Sequence, residues 1–440
     1  MRAISGLLLS TLFATATLAS EMRAGCYLQD GQGKELEGVN VEKRYEIASV
    51  SKVMTTFWAV KQIGLKGRYT TTLYIKKLAN DFYDVHIVGS RDPYTGMEMF
   101  QFLVGQLNGL GIKKIRNMTY DENFKFILDV RASSTAQGHF TLTSPSAERV
   151  MREMRTAVTN LSSGYGNIAT RAKVIHNLTL PSAISLRVAD IHLLEKKDFD
   201  PKNYDSAYLY RSAPLHAIVK EMNRNSNNHA ANQIFESLGG AEKFQAFIKA
   251  ELGLEEKDIR FINGSGDRHD LPDGKSMYNE ATCHAVVRVV QALQQEMRKS
   301  GLSLANVMAV AGEDPSESEK STVSALYDND ETHKALIAKT GTVNPSVTLA
   351  GMISTEEGDI YFGYIYGTNG TVADWRDGRN KIRTQVVKLF NRFGGRSSID
   401  FKAIRFLPFD GESKLKKLEN KSPEAQPAPR TEAPSVSPQG

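Results

Sequence analysis

Ser49 and Lys52 stand three residues apart in the segment IASVSKVMTTFWAVKQIG. Val53, Phe57 and Val60 recur there at helical spacing, and Gly64 is a plausible stop. An i,i+3 pair on a helix turns a hydroxyl and an amine to the same side. A hydroxyl is a poor nucleophile until a neighbouring base takes its proton, and a partly desolvated lysine can be that base. At a helix start, unpaired N–H groups also face developing negative charge. Ser51 is the competing hydroxyl, but neighbours at i,i+1 do not face each other. The pattern alone is weak: Ser413 and Lys416 repeat its spacing, and surface polarity at a helix start accounts for it equally well.

Two further clusters could serve the same chemistry. In Ser226-Asn227-Asn228, a serine and an asparagine two apart can project from one turn. The serine could relay a proton, and the asparagine amide can donate to one partner and accept from another. A turn or helix cap explains such a cluster as readily. Lys339-Thr340-Gly341-Thr342 ends the apolar run Ala335-Leu336-Ile337-Ala338, which reads as a strand. It offers a cation toward a carboxylate, two hydroxyls, and a glycine where a substrate backbone could approach. The Thr342 N–H could join that of Ser49 in an oxyanion hole. A plain surface strand and turn is the alternative.

Ser-x-x-Lys, Ser-x-Asn and Lys-Thr-Gly occur in this order along the chain. Together they resemble the boxes of the penicillin-recognising acyl-serine enzymes. Within that group the chain resembles the D-alanyl-D-alanine carboxypeptidases/endopeptidases of the penicillin-binding protein 4 type, peptidase family S13. GSRDP at 89–93, GIKKIRNMTYDENF at 111–124, SAPL at 212–215, NGSG at 263–266 and LAG at 349–351 carry the narrower likeness. The resemblance spans residues 38–393.

It implies an α/β (α+β) fold with a five-stranded antiparallel sheet flanked by helices, split by a strand-rich inserted domain. It implies Ser49 as the acylated nucleophile, Lys52 as its general base and Ser226 as proton relay. Asn228 would bind the substrate amide, Lys339 and Thr340 a carboxylate, with Thr342 beside them. The amides of Ser49 and Thr342 would form the oxyanion hole. No cofactor and no metal is implied, and no His-x-x-x-His or paired acidic motif appears. The implied partners are peptidoglycan stem peptides, with β-lactam antibiotics as covalent inhibitors. A serine β-lactamase and a non-catalytic wall-binding protein of the same fold are the rival functions. The first would need a deacylating base, which no motif supplies; the second sits badly with a full set of polar boxes.

Other elements must position these boxes. TTTLYIKK, DFYDVHIVG and RAKVIHNLTL read as strands, and MEMFQFLVGQLNGLG as a helix ending at glycine. SAPLHAIVKEM, NNHAANQIFESLGG and residues 279–299 read as helices. LAGMIS with IYFGYIYG reads as a strand pair, and KIRTQVVKLFNRFGG as a closing amphipathic helix. The boundaries expected are a signal segment at 1–20, a split enzyme domain at 21–71 and 201–395, and an insertion at 72–200. An extended segment at 396–411 and a disordered tail from 412 to 440 would follow. Ser49 and Ser226 are 177 positions apart, so the insertion looks shorter than the family's. AVAGEDPSESEKSTVSAL at 309–326 also departs from the family's small-residue pattern.

A chain of 440 residues can bury more than one core, and 41% hydrophobic with 24% charged residues is an ordinary globular balance. The net charge of +5 suits an anionic polymer better than nucleic acid, for which no basic stripe or finger spacing is present. Arg2, the apolar run Leu7–Phe13 and small residues to Ser20 read as an export signal, with a periplasmic destination. No stretch reads as a stable membrane span. Cys26 and Cys283 are too few for a disulfide scaffold; Cys26 is read as a plain cysteine over a lipidated one. IDFKAIRFLPF at 399–409 is read as packing on the body, with a membrane-surface contact as the alternative. Asp121, Asp267 and Asp270 are read as turn, cap or surface residues, and His284 as a surface or packing histidine.

Overall fold

Runs such as SVTLAGMIST are apolar at nearly every position, which marks a strand covered on both faces. The computed structural model describes residues 25–126, 147–181 and 184–420. The expected signal at 1–20 and the tail beyond 420 lie outside them. The chain divides into two compact units, residues 1–54 with 241–402 and residues 55–240 with 403–440. It is an α+β protein with a sheet and flanking helices in each unit.

In the first unit a six-stranded antiparallel sheet runs in the order Ala309–Val310, Leu336–Val343, Ser346–Thr355, Gly358–Gly367, Cys26–Asp30, Glu35–Val39. Five strands were expected. The sixth is a two-residue edge that pairs only with Ile337 and Ala338 before the chain turns away at Gly312. Beyond Ala338, residues 340–343 have a strand partner on the Ser346–Thr355 side only. One face of the sheet buries Leu28, Leu336, Ala338, Leu349 and Phe362 against Ile382, Val386 and Leu389 of the closing helix Val372–Arg392. The other face meets helix Cys283–Lys299, where the His284 ring lies 5.0 Å from that of Tyr27. Cys26 and Cys283 are both buried free thiols.

In the second unit the sheet is mixed: Lys416–Lys417, Ser206–Arg211, Thr70–Lys77, Tyr83–Val88, Lys114–Tyr120, Arg187–Leu193. The last two pairings are parallel, and parallel neighbours need helical crossovers. Helix Met97–Gly109 supplies one, helices Ala147–Thr159 and Leu161–His176 the other. RAKVIHNLTL, expected as a strand, therefore begins as the last turns of a helix. Asn177 (φ 51) closes that helix in the left-handed conformation.

The 399–409 segment packs on this unit at its C-terminal end. Leu407 and Phe409 are buried, and the Phe409 ring stacks on Phe102 at 4.1 Å. The Tyr210 hydroxyl donates to the Pro408 carbonyl at 2.7 Å, and Arg68 grips Asp410 through two bonds of 3.0 and 2.8 Å. The ordered chain also continues past the boundary expected at 412. Gly411–Ser413 forms a 3-10 turn, and Lys416–Lys417 pairs with Tyr208 and Leu209. Low apolar content hid this stretch, which backbone pairing, a buried polar turn and the single apolar contact of Leu415 hold. Ser413 is fully buried in the Asp410 turn, with its Oγ accepting from the Asp410 N–H at 2.9 Å. The second Ser-x-x-Lys is thus a structural turn. Phe409→Ala should lower the unfolding free energy of this unit by about 3–5 kcal/mol, read from the urea midpoint at unchanged slope. A loss under about 1 kcal/mol would mean that the C-terminal segment is dispensable.

Candidate active site

The Ser-x-x-Lys box folds as a tight turn feeding a helix. Ala48–Val50 is a 3-10 turn, helix Ser51–Ile63 follows at once, and Ala48 sits at φ 48. A left-handed alanine costs roughly 1–2 kcal/mol, so its surroundings must hold it. The Ile47 N–H donates to the Asn279 carbonyl at 3.1 Å, and the Thr348 hydroxyl donates to the Ile47 carbonyl at 3.0 Å. The Ser346 hydroxyl donates to the Glu46 carbonyl at 2.6 Å. Ser49 stays half-buried at the tip, while Lys52 is fully buried beneath it. Lys52 Nζ lies 2.8 Å from Ser49 Oγ and donates to the Ser265 carbonyl at 3.1 Å. Ser51 is fully buried and its Oγ has no hydrogen-bond partner. Of the two serines, Ser49 is the one aligned with the amine.

The Ser265 carbonyl is held by a loop that the sequence marked only as a family likeness. Asn263 Oδ1 accepts from the Gly266 N–H at 2.8 Å, and Asn263 Nδ2 donates to the Asp267 carbonyl at 2.9 Å. Asn279 clamps the same loop, donating to the Asn263 carbonyl at 2.7 Å and accepting from the Ile262 N–H at 2.8 Å. Gly266 has φ +76, and a Cβ there would stand 1.9 Å from the Ala48 carbonyl oxygen. Only glycine lets the loop lie against the Ala48–Val50 turn.

Burial pushes the Lys52 amine down to about 7, and the negative charge of Asp267 opposes that fall. An amine near 7 is half neutral at neutral pH and can accept a proton. Asp267 was read as a turn or surface aspartate. Its reach to Lys52 went unseen because the two are far apart in sequence.

The Lys-Thr-Gly box lies on strand Leu336–Val343, in the same unit. A Cβ on Gly341 would meet Thr348 Oγ1 at 2.2 Å and Ala48 Cβ at 2.9 Å, so this strand packs directly against the Ala48–Val50 turn. Lys339 is fully buried and donates to the Thr340 carbonyl at 2.8 Å. Burial, then the neighbouring charge of Lys52, hold its amine well below the usual lysine range. Thr340 Oγ1 pairs with Thr322 Oγ1 at 2.9 Å, and the Thr342 hydroxyl donates to the Gly341 carbonyl at 2.8 Å. Thr322 opens helix Thr322–Tyr327 within the segment that departs from the family pattern. That segment thus reaches the box through a hydroxyl.

Ser226 and Asn228 belong to the second unit. Helix Leu215–Asn225 ends at Ser226, whose φ of 54 is again left-handed for a non-glycine residue. Asn227 then caps helix Asn228–Ser237, its side chain accepting from the Ala230 N–H at 2.9 Å. The box is therefore a sharp corner between two helices. Behind it, Asn223 donates to Thr56 Oγ1 at 3.0 Å and the Phe235 ring lies 5.4 Å from Trp58. His284 lies 3.4 Å from Glu42 at the surface. Asp121 is a buried loop clamp, accepting from the N–H groups of Gly89 and Phe124. Asp270 pairs with Arg268 at the surface. Among the described residues, no group of three or more His, Cys, Asp or Glu side chains could hold a metal ion.

Residues 201–392 match the D-Ala-D-Ala carboxypeptidase 3 (S13) family. A predatory endopeptidase from Bdellovibrio bacteriovorus, solved in complex with an immunity protein, is 33% identical to this chain. That match covers 90% of this chain and 99% of the other at a TM-score of 0.82. The chain belongs to the S13 family. It is a serine-type enzyme of peptidoglycan. The same Bdellovibrio protein has been solved acylated by penicillin G. A second predatory endopeptidase of that organism is 31% identical over 90% of this chain and 99% of its own, at a TM-score of 0.80. Penicillin-binding protein 4 from Haemophilus influenzae, 14% identical over 84% of this chain and 99% of its own, shares the fold at a TM-score of 0.55. No curated protein matches the sequence.

If Lys52 is the base, the second-order rate of acylation by a β-lactam should rise as pH increases through about 7, where its amine loses its proton. Asp267 favours the charged amine, so Asp267→Asn should move this rising limb to lower pH. A limb that stays put or moves upward in stopped-flow acylation would remove Asp267 from the electrostatics of the base.

Proposed function

We propose that this S13 enzyme hydrolyses D-alanyl-D-amino acid bonds in peptidoglycan stem peptides through an acyl-enzyme on Ser49. The observation that carries the reading is the 2.8 Å approach of a buried, weakly basic Lys52 amine to Ser49 Oγ. Ser49 Oγ attacks the D-alanyl carbonyl carbon while its proton passes to Lys52. The tetrahedral oxygen collects its charge between the amides of Ser49 and Thr342. The C–N bond then breaks, and the proton returns from Lys52 through Ser226 to the leaving amine. Asn228 holds the substrate amide, and Lys339 with Thr340 faces the carboxylate of the leaving residue. Water hydrolyses the ester and regenerates the Ser49 hydroxyl.

The five longer strands of the first sheet would then be the sheet of the DD-peptidase fold, with Ala309–Val310 an added edge. Cleavage of cross-links, where the leaving amine belongs to a second stem peptide, is favoured by the likeness to two predatory endopeptidases. A shortened insertion at 72–200 fits access by such branched substrates. The N-terminal pattern suits export to the periplasm, where these bonds are found.

A slowly hydrolysed adduct separates this reading from a β-lactamase. Fluorescent penicillin should label the purified protein, and Ser49→Ala should abolish the label. Digestion of cross-linked muropeptides by the parent should release monomers. An unlabelled parent, or rapid multiple turnover of penicillin, would overturn the assignment.

A further inference from the structure

In the reading above Lys339 and Thr340 face the carboxylate beside the scissile bond, and a charge that does not titrate would hold that anion at every pH. Lys339 is fully buried and its amine is pressed toward neutrality by burial and by Lys52. The threonine hydroxyls of the box are neutral donors. A guanidinium, by contrast, stays charged at every relevant pH.

One guanidinium reaches the box. Helix Val372–Arg392 packs on the sheet through Ile382, Val386 and Leu389, and from its second turn Arg379 Nη2 donates to Thr342 Oγ1 at 3.1 Å. Thr340 and Thr342 alternate onto the same face of their strand, because strand side chains repeat every second residue. Arg379 is thus a third donor in line with two hydroxyls, on a stretch of strand whose outer side has no strand partner.

No described residue forms an ion pair with it. Its helical neighbours three and four residues away are Trp375, Arg376, Ile382 and Arg383. The carboxylate of Asp377, on the same helix, pairs with Lys381 at 3.1 Å. Arg383 donates to the Leu326 carbonyl and adds positive charge on the same side, and Tyr327 lies within electrostatic reach of both arginines. Among the described residues no carboxylate lies within ion-pair distance of Arg379, and its buried Nε has no hydrogen-bond acceptor. A buried charged donor left without an acceptor is costly. A bidentate carboxylate is the ligand whose geometry matches a guanidinium edge.

We propose that Arg379 is a substrate-binding residue that grips the leaving-group carboxylate beside Thr340 and Thr342. The inference rests on the acyl-enzyme reading above and adds to it the residue that carries the fixed charge. Its test compares acylation rates with benzylpenicillin, which bears that carboxylate, and benzylpenicillin methyl ester, which does not. In the full chain, Arg379→Ala should lower the ratio of the two rates about 10- to 100-fold, the worth of one charge-assisted hydrogen bond. Arg379→Lys should restore part of that ratio and serves as the reading if the alanine variant does not fold. A ratio within about twofold of the parent in the folded variants would overturn the role of Arg379 and leave Ser49 chemistry intact. A parent that neither compound acylates would overturn both.

Discussion

Burying an amine costs several kcal/mol unless it gives up its proton or finds compensating partners. In the first unit Lys52 does some of both, and much of the local architecture serves that compromise. Its amine is sealed from water, touches the Ser49 hydroxyl, and donates to the Ser265 carbonyl. That carbonyl is fixed in turn by Asn263 and Asn279, two side chains that are themselves buried and saturate the loop's backbone groups. Asp267 prevents the fall in basicity from going further. A more exposed lysine would stay protonated, and a more isolated one would be too weak to deprotonate a serine.

Backbone strain falls at or next to a serine in two of the boxes. Ala48, next to Ser49, and Ser226 itself both occupy left-handed conformations that a non-glycine residue avoids. In each case the neighbours leave little choice. Ala48 is pinned by bonds to the two carbonyls that precede it and by the close approach of Gly266 and Gly341. Ser226 is caught between a helix that ends and a helix that Asn227 immediately caps.

The three boxes were legible because each couples a residue type to a short spacing. Ser49 with Lys52 is an i,i+3 pair, and the apolar run before Lys339 announces a strand. Their immediate elements followed from periodicity, as did helices such as Met97–Gly109 and Cys283–Lys299. What stayed hidden depends on contacts across long sequence separations. Asp267 is 215 positions from Lys52, and Arg379 is 37 from Thr342 on a different element. Neither signals its partner locally. Residues 171–176 misled for another reason: RAKVIH has an alternation that suits either a strand or a helix, and it is seated as a helix against helix Met97–Gly109. The two-residue pairing of Lys416 with Leu209 left no compositional trace at all.

Lys52 and Lys339 also constrain what the rest of the site can be. Burial lowers both amines, and the charge of Lys52 lowers Lys339 further, so the two are not both strong cations in the resting enzyme. That suits a base, which must accept a proton, and ill suits an anchor, which must keep one. An arriving carboxylate would draw Lys339 back toward its charged form, so its share of binding would come with proton uptake and vary with pH. A guanidinium on the opposite side of the same strand adds a charge that does not titrate. In the proposed mechanism this division would leave Lys52 free to cycle its proton during acylation while Arg379, which takes no part in the transfer, would hold the substrate's anion.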